Sequence, residues 1–526
     1  MDMNPFLHLS DRFLGSLVDN DAFQEFLSAQ GYVSDDLLRT EREVLACLAE
    51  TEMGVGIWLS PSRTNELIDA LSTRAQVFVK ENFGKDFKDI QNHSDRLEAL
   101  RILGFGIPRI SIEQRRRRTG NFAVICQKPL KQLKDYQISV ANDVWAGLQA
   151  PFARVLMQMP TGAGKTRTAL EVVMRKLNEG GSVVWTADKT ELLDQAVESF
   201  IEVAQHTAQK ELRVIRDIEA WSENEKGGCF IVESVQSLYS SVEKREKIKA
   251  LVTDGVIVFD ECHSAIARTY REVLDDVAGR DFRLLGLSAT PGRSTTEESE
   301  ELAEFFLRKI VQLHDRRVGG VRIDRPIEFL QKQGVLSSVR YRSIEMEYSD
   351  DFSDEEWGAV RRGEDLPKAL VQRLCQHRQR NEWVVNEVER LAKLGRKVIV
   401  FTGTVAQSKV LTAAMLVRDV RALHIDGETS NRDVGVNLFR AGEVDVLLNC
   451  DLFSAGLDVP DIGAVVIARP TSSVVRYSQM IGRGLRGPAM GGTLNCDIVT
   501  VLDNLAGMLT AADIAMAFDE YFSSTA

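Results

Sequence analysis

The sequence predicts an α/β protein, with two tandem parallel-sheet domains preceded by a mostly α-helical N-terminal domain. Three observations carry this reading. From residue 154 to residue 502, short and almost continuously apolar runs alternate with stretches of helical spacing, the texture of parallel strands buried on both faces. That alternation occurs twice, with the acidic stretch Asp350–Glu356 near the boundary. At 526 residues the chain also exceeds what one core ordinarily holds.

Residues 1–127 are expected to form a helical accessory domain. Apolar residues recur at helical spacing in Phe23, Phe26 and Leu27, from Leu37 to Leu48, and in Leu67, Ile68 and Leu71. A break is expected at Gly104–Pro108, and the run Arg115–Arg118 reads either as a solvated connector or as a phosphate-contacting patch. The first α/β domain, 128–345, has candidate strands at Arg154–Gln158, Ser182–Thr186, Cys229–Glu233, Val256–Phe259 and Arg283–Leu287. The second, 346–510, has them at Lys397–Thr402, Arg421–Ile425, Val444–Asn449, Ala464–Ile467 and Ile498–Leu502. A short C-terminal helix is expected within 511–526.

Composition removes several classes. A net charge of -12 argues against coating nucleic acid through bulk positive charge, while leaving room for a local basic groove. The seven cysteines are scattered without a C-x-x-C pair, which fits reduced thiols rather than a disulfide frame or a zinc site. No apolar run approaches the ~20 residues of a membrane helix, and the first residues lack a basic-then-apolar signal. A cytoplasmic protein is expected.

The chemistry concentrates in three places. Met159-Pro-Thr-Gly-Ala-Gly-Lys-Thr166 follows a strand and precedes a helical pattern, the context of a phosphate-binding loop. Thr161, Gly162, Ala163 and Gly164 would wrap a nucleotide, the two glycines letting backbone amides turn inward. Lys165 would meet the β- and γ-phosphates, and the Thr166 hydroxyl would bind magnesium. The full pattern has glycine where this chain has Met159. Asp260 and Glu261 end an apolar strand, Asp260 placed to hold Mg²⁺ and Glu261 to orient or deprotonate a water. In Gln479-Met-Ile-Gly-Arg-Gly-Leu-Arg486, Arg483 and Arg486 lie three apart and would share a helical face. Neither should reach a phosphate held by its own domain's sheet, so hydrolysis is expected to need domain closure.

Asp260-Glu-Cys-His263, followed by Leu287-Ser-Ala-Thr-Pro291, resembles motifs II and III of superfamily 2 helicases, the DEAD/DEAH-box-like group. The other motifs follow in order. Leu133–Gln137 resembles the adenine-reading segment, which makes Gln137 the adenine contact. Thr186–Gln195 resembles motif Ia, with Lys189 on the nucleic-acid backbone, and Ser234–Leu238 the next such loop, with Ser237. Phe401–Thr404 resembles motif IV, with Thr402, and His424–Gly427 a neighbouring backbone-contacting loop, with Gly427. Asn449–Pro460 resembles motif V, which implies Gly456 and Asp458 near the ribose and the interdomain cleft. Gln479–Arg486 resembles motif VI. Ser288, Thr290 and His263 are implied to couple the nucleotide site to strand contacts.

The branch most similar is that of type III restriction motor subunits and RadD-like bacterial helicases. The resemblance implies two RecA-like domains, ATP and Mg²⁺ as cofactors, and a DNA helicase or translocase working in DNA repair or anti-phage defence, with protein partners at the N-terminal domain. RNA as the substrate, and an ATP-gated switch that recruits partners without unwinding, remain open.

Overall fold

The computed structural model describes residues 4–18, 41–53, 61–90, 92–105, 122–124, 132–188, 190–209, 211–221, 228–251, 254–262, 268–278, 282–289, 296–346, 366–427, 429, 432–450, 459, 461–471 and 474–503. The chain divides into two compact units. One comprises residues 1–112, 338–472 and 491–511; the other comprises 113–337, 473–490 and 512–526.

The first unit opens with helices α1 (Asp11–Leu17), α2 (Glu41–Met53), α3 (Pro61–Asp69), α4 (Thr73–Phe83) and α5 (His93–Ile102). Local chemistry sets their ends. Ser72 Oγ accepts the Ala75 N–H at the start of α4, and Gly84 closes that helix in the left-handed region at φ 78°. Asn92 Oδ1 accepts the Ser94 N–H at the start of α5.

The second unit carries an eight-stranded sheet: β1 (Phe122–Val124), β2 (Arg154–Gln158), β3 (Ser182–Ala187), β4 (Leu212–Ile215), β5 (Cys229–Ser234), β6 (Gly255–Asp260), β7 (Phe282–Ser288) and β8 (Ile310–Val311). Their order is β1-β4-β5-β3-β6-β7-β2-β8, parallel throughout except for the β1–β4 pair. The helices are α6 (Asp135–Gly147), α7 (Lys165–Asn178), α8 (Thr190–Thr207), α9 (Val235–Ser240), α10 (Val242–Leu251), α11 (Arg268–Ala278), α12 (Thr296–Phe305) and α13 (Pro326–Lys332). A hairpin, β9 (Arg316–Val318) and β10 (Val321–Ile323), turns at Gly319-Gly320, both with positive φ.

The first unit resumes with β11 (Ser338–Met346), β12 (Val398–Thr402), β13 (Ala422–Ile425), β14 (Val446–Cys450), β15 (Ala464–Ile467) and β16 (Asn495–Asp503), in the order β11-β16-β15-β12-β14-β13 and parallel throughout. Its helices are α14 (Lys368–Gln376), α15 (Arg378–Lys393), α16 (Val405–Val417) and α17 (Arg432–Ala441). Arg380 on α15 binds Asp503 on β16 through two bonds of 2.7 and 2.9 Å, with both side chains wholly buried. A charge buried this deeply survives only with such a bidentate partner.

The two α/β layers expected from the sequence are both present, and every expected strand is found within a few residues of its run. The strands not foreseen are β1, β4, β8, the hairpin and β11. The last is an edge strand whose exposed Arg340, Tyr341 and Arg342 break the apolar signal. The expected border near residue 127 and the helix within 511–526 lie outside the described residues, as does Arg115–Arg118.

The N-terminal helices share one hydrophobic core with a face of the second sheet. Val44 and Leu48 of α2 belong to the same buried cluster as Leu411 and Met415 of α16 and Val398 and Val400 of β12. Helix α16 is apolar almost all round, the composition of a helix covered on both sides. Lys409 Nζ adds an ion pair to Glu52 Oε2 at 2.7 Å.

In α2, burial raises the Glu50 carboxyl from 4.5 to about 7, outweighing the bond it accepts from Asn4 Nδ2 (3.0 Å). A carboxyl raised on folding stabilises below its unfolded value and loses that contribution as pH rises through about 7. Glu50→Gln should therefore raise Tm at pH 8 and leave it nearly unchanged at pH 5. Equal shifts at both pH values would contradict the assignment.

Candidate nucleotide site

Ligands of parallel sheets gather at the carboxyl ends of the strands, and in the second unit three such ends lie side by side. Strand β7 lies between β6 and β2, with Gln158 opposite Ser288 and Asp260 opposite Leu287. The loop after β2, the acids after β6 and the serine ending β7 are thereby level.

The loop Met159–Gly164 passes from β2 into α7. Gly162 and Gly164 have φ of 82° and 83°, a region that side chains with a Cβ rarely adopt. The Ala163 N–H donates to Pro160 O at 3.0 Å, and Thr168 anchors Gly164 O through both its N–H (2.9 Å) and its hydroxyl (3.0 Å). Met159 explains why glycine is unnecessary at its position. Its side chain is wholly buried, and its N–H donates to Ser288 O at 3.1 Å, stitching the loop to β7.

Lys165 Nζ, at the start of α7, donates to Glu261 Oε1 at 2.8 Å and stands 3.5 Å from Asp260 Oδ1. Burial alone would depress the lysine, but the two carboxylates more than offset it and hold the ammonium well above its ordinary value. Burial pushes Asp260 up, against the pull of Lys165, while the Glu261 N–H donates to its Oδ1 at 3.0 Å. Glu261 takes a φ of 52°, strained for a residue with a side chain. Thr166 follows in the first turn of α7 and is half-buried. Among the described residues no group of three or more His, Cys, Asp or Glu could hold a metal unaided. One carboxylate and a threonine hydroxyl fit a magnesium ion that keeps water and phosphate oxygens as its other ligands.

Helix α6 braces the loop. Tyr136 Oη donates to Ala163 O at 2.9 Å, and Gln137 Nε2 reaches the same oxygen at 3.5 Å. Gln137 Oε1 accepts the Lys134 N–H at 3.0 Å, and a Cβ on Gly164 would lie 2.5 Å from Gln137 Nε2. The expected adenine contact is thus packed directly on the phosphate loop. Tyr136, one residue earlier, was passed over; its place in the Tyr-Gln pair was the available signal.

Residues 473–490 belong to this same unit. Helix α18 (Val474–Ile481) stops before the arginines, because Arg483 and Gly484 donate back three residues to Met480 and Ile481 and tighten the last turn. Arg483 and Arg486 therefore do not share a helical face, contrary to expectation. Arg486 instead pairs with Leu336 in an antiparallel bridge. Burial lowers Arg483, and the Glu261 carboxylate opposes that shift, so the guanidinium feels that carboxylate. Gly482 was also overlooked, and there is no room there for more: a Cβ would overlap Thr161 Cγ2.

The remaining expected residues fall out differently. Ser237 takes the Lys244 ammonium at 3.0 Å, beside Glu233. Ser288 is wholly buried at the end of β7. Thr402 is turned inward and wholly buried, its hydroxyl donating to Asn449 O at 3.0 Å, so its side chain braces β14. Gly427 is exposed, with open space around its Cα. Lys189, His263, Thr290, Gly456 and Asp458 lie outside the described residues.

Gly482→Ala should force Thr161 away and cut turnover by an order of magnitude or more, with the fold intact by circular dichroism. Unchanged turnover would contradict the packing.

Residues 130–293 match the family described as type III restriction enzyme, res subunit, and residues 379–487 match the helicase conserved C-terminal domain. A 51.5 kDa protein of a Lactococcus phage is 24% identical over 63% of this chain and 62% of its own length. The putative ATP-dependent helicase IRC3 of Saccharomyces cerevisiae is 24% identical over 67% of this chain and 49% of its own. The chain thus spans about half to three fifths of the length of these relatives. The Hef helicase domain of Pyrococcus furiosus is 16% identical, covering 71% of this chain and 96% of its own, with a TM-score of 0.43. The two matches fall on the two parallel sheets, and over those residues the chain carries a type III restriction enzyme res-subunit domain and a helicase C-terminal domain, the pairing of the type III restriction-like branch of the superfamily 2 helicases.

Proposed function

We propose that this chain is an ATP-driven motor that moves along or unwinds DNA. The observation that carries the reading is the cluster of Lys165, Asp260 and Glu261, with the Arg483 loop beside it. The match of 130–293 to a restriction-enzyme subunit supports DNA as the track.

The residues suggest their own sequence of events. The Lys165 ammonium donates to Glu261 Oε1 at 2.8 Å. A triphosphate entering the loop competes for that ammonium, since phosphate oxygens carry more charge than one carboxylate. Glu261 is then released to orient or deprotonate an attacking water. Thr166 and Asp260 would hold the magnesium ion, which offsets charge building on the β- and γ-phosphate oxygens. In this reading Arg483 would stabilise charge that develops during transfer, a contribution worth roughly 10³–10⁵ in rate for arginine fingers generally. The grip on DNA is through phosphates, hence tolerant of sequence and weakened by salt. DNA repair and anti-phage defence are the settings that fit such a motor, with protein partners at the N-terminal helices.

ATP hydrolysis measured with single-stranded DNA, duplex DNA and RNA tests this directly. DNA should raise turnover, and Lys165→Ala should abolish it. Stimulation by RNA alone would overturn the DNA reading, and wild-type hydrolysis by Lys165→Ala would overturn the phosphate-loop assignment.

A further inference from the structure

One segment of the second unit has no role in the account so far. After α13 the chain turns at Gly334, whose φ is 65°, and then lies antiparallel to the arginine-bearing loop, with Leu336 bridged to Arg486. The Ser337 N–H donates to Leu485 O at 2.9 Å, the Gly487 N–H to Val335 O at 2.8 Å, and the Ala489 N–H to Gly334 O at 2.8 Å. The Ser337 hydroxyl, wholly buried, donates to Arg486 O at 2.6 Å. Leu336 reaches the other way: its Cδ2 would lie 2.9 Å from a Cβ on Gly162. The segment thus touches the arginine loop along one side and the phosphate loop at its tip.

We propose that Gly334–Ser337 is a positioning strap that sets the arginine loop against the phosphate loop, with Ser337 as its principal positioning residue. The inference rests on the ATPase reading above. The last turn of α18 closes with the Gly484 N–H on Ile481 O, and beyond it the strap supplies backbone partners to Leu485, Arg486 and Gly487. Gly487 follows from the same geometry, since a Cβ there would overlap the Gly334 carbonyl. The strap is also short and stiff. The Gln331 side chain holds Ser337 O at 3.0 Å, tying the strap's far end back to α13. The next residue, Ser338, begins β11.

A strap of this kind positions a group needed for transfer rather than for holding nucleotide. Its loss should therefore appear in kcat and not in affinity. Losing one buried hydrogen bond of this type is expected to slow turnover about tenfold.

The test is Ser337→Ala in the full chain, measured for DNA-stimulated kcat, for the dissociation constant of a non-hydrolysable ATP analogue, and for Tm. The strap predicts a roughly tenfold lower kcat, analogue affinity within twofold of wild type, and a Tm within a few degrees. Ser337→Cys, close in size but a weak donor, should fall with Ser337→Ala and guards against an effect of lost volume. An unchanged kcat in both variants overturns the proposal. So does a loss of analogue affinity equal to the loss of kcat, because that is the mark of a collapsed site. A wild-type chain that does not hydrolyse ATP would sink the ATPase reading and the strap together; normal wild-type turnover matched by Ser337→Ala sinks the strap alone.

Discussion

A lysine ammonium buried against two carboxylates is the interaction on which the candidate site depends. Removed from water, neither Asp260 nor Lys165 is tolerable alone; together they compensate. This explains why β6 must stop at Asp260, why Glu261 accepts a left-handed backbone, and why α7 begins at Lys165 after two glycines of positive φ. It also makes the site responsive. A cation shared between acids can be taken by an incoming polyanion; under the proposed function, the freed carboxylate would act on water.

Around that pair the second unit is unusually interlocked. Tyr136 and Gln137 press on the phosphate loop from α6, Met159 ties it to the end of β7, and Gly482 leaves just enough room for Thr161. Each is a close packing or backbone contact that leaves little room for substitution. Interiors packed this way switch between arrangements rather than deform smoothly, a property that fits the proposed motor.

Much of this was legible in the sequence, and for definite reasons. Strands buried on both faces leave continuous apolar runs, so β2, β3, β6 and β12 could be read directly. Glycine before Gly-Lys-Thr, and paired acids after an apolar run, mark backbone and charge requirements that few other arrangements satisfy. What escaped notice depends on tertiary context. The edge strand β11 is too polar to announce itself, and Ser337 is an ordinary serine until Arg486 O is found beside it. The reading of Arg483 and Arg486 as partners on one helical face failed because the last turn of α18 tightens at Arg483 and Gly484, before Arg486 is reached. Thr402 sits at a motif position yet faces the core. The N-terminal helices gave a clear helical period but no hint that α2 would share a core with α16.

The central claim is that Arg483 acts on charge that forms during phosphoryl transfer while Lys165 and the loop hold the nucleotide. Single-turnover hydrolysis by Arg483→Lys, with DNA saturating, addresses it most directly, because lysine keeps the charge and loses the planar fork. The account predicts a rate lower by roughly 10²-fold or more, given the usual worth of an arginine at this step, with analogue binding preserved. A variant that hydrolyses ATP at the wild-type rate would contradict it.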